Sequence, residues 1–258
     1  MLWFFLAAQL AAQITTVGNQ PCQECHRNIS RNYARTEMAS NRVNCEDCHG
    51  PASQHIQGSA RLIVPTALED SARDSICGQC HLKDAIQIQR PGRKASQYRP
   101  GAEFGRYVAT LVGAKPAGPV DGLNASKCRQ KAGADLWCAS CHDVHTGKTE
   151  RAAACQSCHT PQQCKRGPDC AKCHMPQADH RIVRPGRAPT SPPATAWQLR
   201  PFSAADRGTR ELGLAYAEAF ARTRDARQQA EAVRLLSAIA KPDPAIRTAL
   251  AKLKASPK

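Results

Sequence analysis

Apolar and polar positions change over quickly along this chain, and no apolar run approaches the roughly 20 residues that a membrane-spanning helix needs. The longest apolar stretch, Trp3 to Leu10 followed by Ala11 and Ala12, predicts a signal peptide over residues 1–12. No Lys or Arg precedes it, so a buried N-terminal helix or an uncleaved anchor is the alternative reading. Between residues 82 and 137 the pattern is irregular. The stretch from Arg90 to Val120 is rich in Pro, Gly and basic residues, with a strand-like run from Tyr107 to Val112 inside it. It predicts a loop or small hairpin that covers its neighbours or lines a pocket. Pro185, Pro189, Pro192, Pro193 and Pro201 predict an extended linker over 185–205. Helical spacing then sets in at Asp206–Thr223, Ala226–Ala240 and Pro244–Leu253. A short helical tail cannot bury its own face, so it should pack on the domain that carries the Cys-x-x-Cys pairs, on a partner or on another copy.

Composition sharpens this picture at one residue type. Fourteen of the 258 residues are cysteine, and twelve of them form six Cys-x-x-Cys pairs, each followed at once by histidine. The pairs are Cys22/Cys25, Cys45/Cys48, Cys77/Cys80, Cys138/Cys141, Cys155/Cys158 and Cys170/Cys173, and the histidines are His26, His49, His81, His142, His159 and His174. This is the attachment motif of c-type haem. Two thiols add across the two vinyl groups of one porphyrin, and the adjacent imidazole reaches the iron. Zinc also binds paired cysteines but asks for no histidine directly after the second one. Only nine residues are histidine, so six coincidences by chance would have odds of about one in a billion. A disulfide framework fails on the same histidines. The sequence therefore predicts six covalently attached haem c groups, carried on short helices between residues 22 and 174. Such packed macrocycles would supply apolar surface that a chain with 5% aromatic residues otherwise lacks.

Each iron takes one motif histidine, and electron-transfer haems usually take a second strong ligand. The spare candidates are His55, His145 and His180, with Met38 and Met175 after the initiator. Met175 directly follows His174 and points away. Met38 could return over the first haem on a helix, with a packing role as its alternative. His145 lies three residues after His142 and should reach a neighbouring iron, and His55 follows the Gly50-Pro51 turn. Five spare ligands cannot fill six irons. One site at least must be open, water-ligated or served by another group. Cys128 and Cys164, outside the motifs, are most simply a disulfide in an oxidising compartment.

The formal charge of +15 invites a nucleic-acid reading, but the basic residues form no aromatic-interleaved surface motif. Six oxidised haems with ionised propionates would add about −6, leaving about +9. No nucleic-acid partner is expected.

Cys45 to Pro51 with His55 resembles the second-haem region of cytochromes related to pentahaem nitrite reductase, hydroxylamine oxidoreductase and the tetrahaem cytochrome of ammonia oxidisers. The resemblance implies that His55 is a distal ligand, and that Met38 stands where relatives carry a distal histidine. Leu136 to His145 and Asp179 to Ile182 resemble a bacterial subset with C-terminal tetratricopeptide repeats, and Leu212-Gly213-x-x-Tyr216 matches a tetratricopeptide helix. No Cys-x-x-Cys-Lys occurs, which disfavours nitrite-reductase chemistry.

The expected fold is mainly α with much irregular structure. A hexahaem cytochrome domain occupies 13–184, a Pro-rich linker 185–205 and tetratricopeptide-like helices 206–258. The expected function is electron transfer between redox protein partners, met through the C-terminal helices, in the periplasm or otherwise outside the cytoplasm. No catalytic residue is assigned, and no transmembrane span remains after signal removal. Two alternatives stay open: a multihaem oxidoreductase acting on a small nitrogen or oxygen compound at an open haem, and an assembly protein whose tail recruits a larger complex.

Overall fold

A computed structural model of the chain describes residues 14–160, 170–175, 180–184 and 195–255. The expected signal peptide, Cys164 with its disulfide to Cys128, and residues 185–194 of the linker lie outside the described residues.

The architecture is mainly helical with much irregular chain, as the sequence predicts. The N-terminal part runs through α1 (Gln20–Cys25), α2 (Arg27–Tyr33), α3 (Glu37–Ser40), α4 (Glu46–His49), α5 (Ser53–Ile56) and α6 (Asp70–His81). After an interval come α7 (Pro119–Asn124), α8 (Lys127–Ala132), α9 (Cys138–Cys141), α10 (Arg151–Gln156) and α11 (Cys170–His174). These helices are short because their sequence stops them. Pro21 and Pro119 open α1 and α7, where the missing N–H costs nothing. Gly50 follows α4 with φ +77°, a conformation that glycine alone adopts freely.

Few large side chains pack here, and polar side chains buried in the chain tie it together instead. Glu46, 7% exposed, accepts hydrogen bonds from the backbone N–H groups of Val17, Gly18 and Ala52. Arg129, 8% exposed, pairs with Asp74 at 2.9 Å. Arg73 pairs with Asp70 and lies over the Trp137 ring at 4.8 Å. Such groups are costly to bury and therefore come paired.

The interval after α6 is more ordered than a loop. β1 (Ile86–Gln89) pairs antiparallel with β2 (Val108–Val112), with Ile86 opposite Leu111. β2 carries the strand-like run and is buried at all five positions. A small hairpin, β3 (His142–Asp143) with β4 (Lys148–Thr149), follows α9. β5 (Arg200–Pro201) then returns to the free edge of β2 and completes a three-stranded sheet.

The helical tail is α12 (Thr209–Thr223), α13 (Ala226–Ser237) and α14 (Pro244–Ala255). Leu214, Tyr216, Phe220, Ala232, Leu235, Leu236, Ile246 and Leu253 form its core. A Cβ on Gly213 would lie 2.6 Å from Leu236, so the glycine of the Leu-Gly-x-x-Tyr pattern lets α12 and α13 approach closely. The tail packs on the sheet that lies within the expected haem domain: Ala215 and Ala219 of α12 bury against Ile86, Ala109 and Leu111. Asp121 of α7, 2% exposed, accepts from Arg200 at 2.8 Å and fastens the sheet edge to α7.

Replacing Leu236, 1% exposed, with Ala should cost about 2–5 kcal/mol. Thermal unfolding followed by circular dichroism will register it as a lowered melting temperature of the tail, with the haem-motif spectrum unchanged.

Candidate haem-iron centres

Five of the six Cys-x-x-Cys pairs span one turn at α1, α4, α6, α9 or α11. Residues three apart on a turn share a face, so both thiols can reach one flat group while the following histidine is delivered beside it. The fifth pair departs from the expectation that every motif rides on a helix. Cys155 lies in α10, but Cys158 falls two residues past its end. A turn continues the helical course there, with Cys158 N–H donating to the Cys155 carbonyl at 3.3 Å and His159 N–H to the same carbonyl at 2.9 Å. The Cys158 Sγ accepts from Ser157 Oγ at 3.8 Å.

The thiols are also less enclosed than a packed stack suggests. Cys25, Cys80, Cys158 and Cys173, the second cysteine of four motifs, are exposed, whereas Cys22, Cys77, Cys155 and Cys170, their first cysteines, are half-buried. Cys173 sits on α11 two residues after the buried Ala171, on the side turned away from the chain. The polypeptide therefore does not bury these four second thiols, because its large apolar side chains are gathered in the sheet and the tail rather than over the motif helices. A thiol bonded to a porphyrin edge needs only one side of that edge to be open to it, so exposure to the polypeptide's outside is compatible with attachment.

The three spare histidines are brought to three motif histidines. His55 faces His26 with ring centres 6.3 Å apart and planes 16° from parallel. His145 faces His49 at 6.0 Å and 8°, and His180 faces His142 at 6.0 Å and 28°. Two imidazoles on opposite sides of one metal, at about 2 Å per metal–nitrogen bond, put their ring centres about 6 Å apart. Offset ring stacking allows a similar distance. Stacking alone would not select one motif and one spare histidine three times over. The residues present therefore fit an axially ligated haem at these places.

Local structure aims these rings. The His55 turn begins at Gly50, where a Cβ would press on Ile63 at 3.2 Å. Ile63 in turn presents its carbonyl, to which His49 Nδ1 donates at 2.8 Å. His174 Nδ1 donates likewise to the Val183 carbonyl at 2.8 Å, and His55 Nδ1 to Ala60 at 3.3 Å. Since a carbonyl only accepts, these bonds fix the proton on Nδ1 and leave Nε2 free for a metal, the usual arrangement of a ligating histidine. His145 lies in the turn of the β3–β4 hairpin rather than on a helix, because Asp143 accepts from the His145 and Thr146 N–H groups. His180 takes the left-handed conformation, φ +63°, and Ile182 N–H donates to Ser126 beside it. Burial first, then His180, Arg151 and His81, hold the His142 imidazole below its ordinary range, which keeps it neutral and metal-binding.

The motif thiols come together in sequence order. Burial, then the charge and hydrogen bond of Cys22, push the Cys45 thiol up to about 11. Burial, then Asp47, Cys80 and Cys45, push Cys48 up to about 11. Cys77 shares a hydrogen bond with Cys138, which raises Cys77 and lowers Cys138. Burial, then Cys170 and Cys141, push Cys155 up to about 11. Motif one thus meets two, two meets three, and so on to six. Cys128 lies near enough to Cys155 to add to that shift. Between motifs five and six the contact runs through their first cysteines. Among the described residues no three His, Cys, Asp or Glu side chains converge as a bare metal ion would require.

Met38 sits half-buried on α3. His26, the motif histidine nearest it in sequence, faces His55. The sequence reading missed Glu46, which pins the chain at residues 17, 18 and 52. It lies between two motif cysteines, where nothing in the pattern distinguishes a buried acid from a surface one.

The comparison with known proteins bears on the class of protein. The chain is similar to a multihaem cytochrome. It is 23% identical over 168 residues to the multihaem cytochrome MtrA of Shewanella baltica (strain OS185), which covers 57% of this chain and 39% of that one. The chain thus spans about two fifths of that relative's length. No family model matches the chain, and no solved structure matches it. The relationship to multihaem c-type cytochromes rests on this similarity. Among the described residues no helix is long and apolar enough to cross a membrane.

Replacing His55, His145 or His180 with Ala should each convert one haem from low-spin to high-spin. Electron paramagnetic resonance of the oxidised protein will count them, and variants that keep the wild-type low-spin signals would remove these residues from the ligand set.

Proposed function

We propose that the protein is an exported hexahaem c-type cytochrome that passes electrons between redox partners. The observation that carries this is the set of three parallel histidine pairs, each joining a motif histidine to a spare one across about 6 Å. When bound, each haem supplies a one-electron centre, and a pair of strong axial ligands favours electron transfer over substrate binding.

The chain's own residues do the rest. The twelve motif cysteines hold the groups covalently, Cys158 and Cys173 from the exposed side of motifs five and six. His26 with His55, His49 with His145, and His142 with His180 set three coordination spheres, and His81, His159 and His174 serve one side of the others. The side-by-side thiols of successive motifs support an unbranched row in sequence order. Arg129 lies near enough to the Cys77–Cys138 contact to add to the lowering of Cys138 by Cys77, and Arg73 lies over the ring of Trp137, the residue before Cys138. With these ligands in place Met38 serves packing.

The apolar N-terminal stretch supports export, since both thiols of such motifs are joined to haem outside the bacterial cytoplasm. The helical tail, with its tetratricopeptide-like signature, would meet the redox partner. The narrower likeness to the nitrite reductase and hydroxylamine oxidoreductase group rests on Cys45 to His55.

Mass spectrometry of the exported protein should give six covalent haems per chain, and a protein without them would overturn the reading. Replacing Cys77 and Cys80 with Ala should leave five haems yet cut transfer between external donor and acceptor by more than tenfold. Loss of the terminal motif at 22 and 25 should affect transfer at one end alone. Rapid-mixing absorbance of the loaded variants separates the two cases.

A further inference from the structure

β1 lies at the edge of its sheet and has no strand on its outer side among the described residues. Arg90 N–H donates to the Tyr107 carbonyl, so in this antiparallel register Ile86, Ile88 and Arg90 spend their backbone groups on β2. The backbone groups of Gln87 and Gln89 then point outward, and both residues are exposed. Arg210 of α12 takes the Gln89 carbonyl at 3.2 Å, while the Gln87 N–H and carbonyl and the Gln89 N–H have no partner among the described residues. Such an edge is a template for one more strand, which proteins usually cover or blunt. Here it forms one wall of a groove of about 1140 Å³, with Ile88 of β1, Ala217 and Ala221 of α12 and Ala249 of α14 as its apolar lining. Five of the lining residues are Arg or Lys and two, Glu218 and Asp243, are acidic. Both acids are already held, by Arg222 at 3.2 Å and by Arg210 at 2.5 Å. Arg93 and Arg224 have no carboxylate partner among the described residues, and Arg224 lies over the Phe220 ring at 5.6 Å. The groove leads to the third motif. β1 begins five residues after His81, and Gln87 lines both the groove and a cavity of about 270 Å³ that it shares with Cys80, Lys83 and Arg222.

On the electron-transfer reading above, we propose that an extended acidic segment of a redox protein adds to the outer edge of β1, its carboxylates on Arg93 and Arg224, and brings that protein's one-electron centre to the third haem. Backbone bonds to Gln87 and Gln89 give the affinity, and the cations select the partner. One electron leaves the partner's centre and takes the iron held by Cys77, Cys80 and His81 from ferric to ferrous. Electrons thus enter the row from the side, at its third member, rather than at an end.

The probe is a short peptide of alternating Glu and Val with a ruthenium polypyridyl photoreductant at one end. Calorimetric titration of the loaded, oxidised protein should show binding that weakens as salt rises. Arg93→Glu with Arg224→Glu should bind roughly tenfold more weakly. Gln87→Pro removes an outward N–H but keeps the bonds to β2, and should bind roughly two- to tenfold more weakly. A light flash should reduce haem in the wild-type complex. Cys77→Ala with Cys80→Ala should still bind the peptide but take up its electron at least tenfold more slowly. No peptide binding, equal binding by these variants, or undiminished electron uptake without the third haem overturns the proposal and leaves electron transfer standing. Equally tight binding of a Lys–Val peptide or of a thymidine single strand of similar length overturns it too. So does a dimer in sedimentation that the peptide dissociates, which would put a second copy on this edge. A protein without covalent haem overturns both readings. If Gln87→Pro loses the wild-type circular dichroism, peptides N-methylated on their odd or their even residues decide on the wild type. Weaker binding of one of the two supports the added strand, and undiminished binding of both removes it.

Discussion

Two imidazole rings held face to face about 6 Å apart set the constraint that the motif-bearing half of the chain obeys. Each pair joins residues remote in sequence: His26 with His55, His49 with His145, and His142 with His180. Neither ring can drift without losing the geometry, so each sits at the end of a stiff local device. Gly50 turns one segment, the Asp143 turn holds another, and a left-handed backbone at His180 aims the third. Backbone carbonyls of Ile63 and Ala60 then fix the rotation of His49 and His55. The short helices between these devices carry cysteines, and contribute little core of their own.

That explains why charged side chains are buried here so often. Glu46 gathers three backbone donors, Asp121 anchors Arg200, and Arg129 pairs with Asp74. In a chain with few aromatic residues, such bonds position segments that side-chain packing would position elsewhere. The flat groups that the motifs hold would shield these bonds from water and strengthen them.

The other half is built differently. β1, β2 and β5 form a sheet buried against α12, and the tail has an ordinary apolar core around Leu236 and Ile246. The interval after the third motif and the C-terminal helices therefore act as one body. It braces α6 through Phe104 and Ser75, and it seats the Tyr98 ring against Phe104. A long insertion that looks like a covering loop in sequence is, in space, the connection between the centres and the tail.

Much of the chemistry was legible from spacing alone. Cys-x-x-Cys-His is local: one helical turn is enough to present two thiols and an imidazole, so the six motifs can be read directly. How far the polypeptide covers each thiol is not local, and the exposure of Cys158 and Cys173 could not be read from their motifs. The three tail helices were legible for the same reason as the motifs, since 3.6-residue periodicity is local too. The strand at Val108–Val112 was visible as an apolar run, but not its partners, because Ile86–Gln89 and Arg200–Pro201 reach it from far along the chain. Which spare histidine faces which motif was likewise decided by tertiary structure. His145 lies three residues from His142 yet faces His49, because a hairpin turn reverses the chain between neighbours. Sequence determined the inventory of paired cysteines and histidines, since the motif depends on adjacent residues. Only the fold decided which histidines face one another and how deeply Tyr98 is buried, because the partners come from remote parts of the chain.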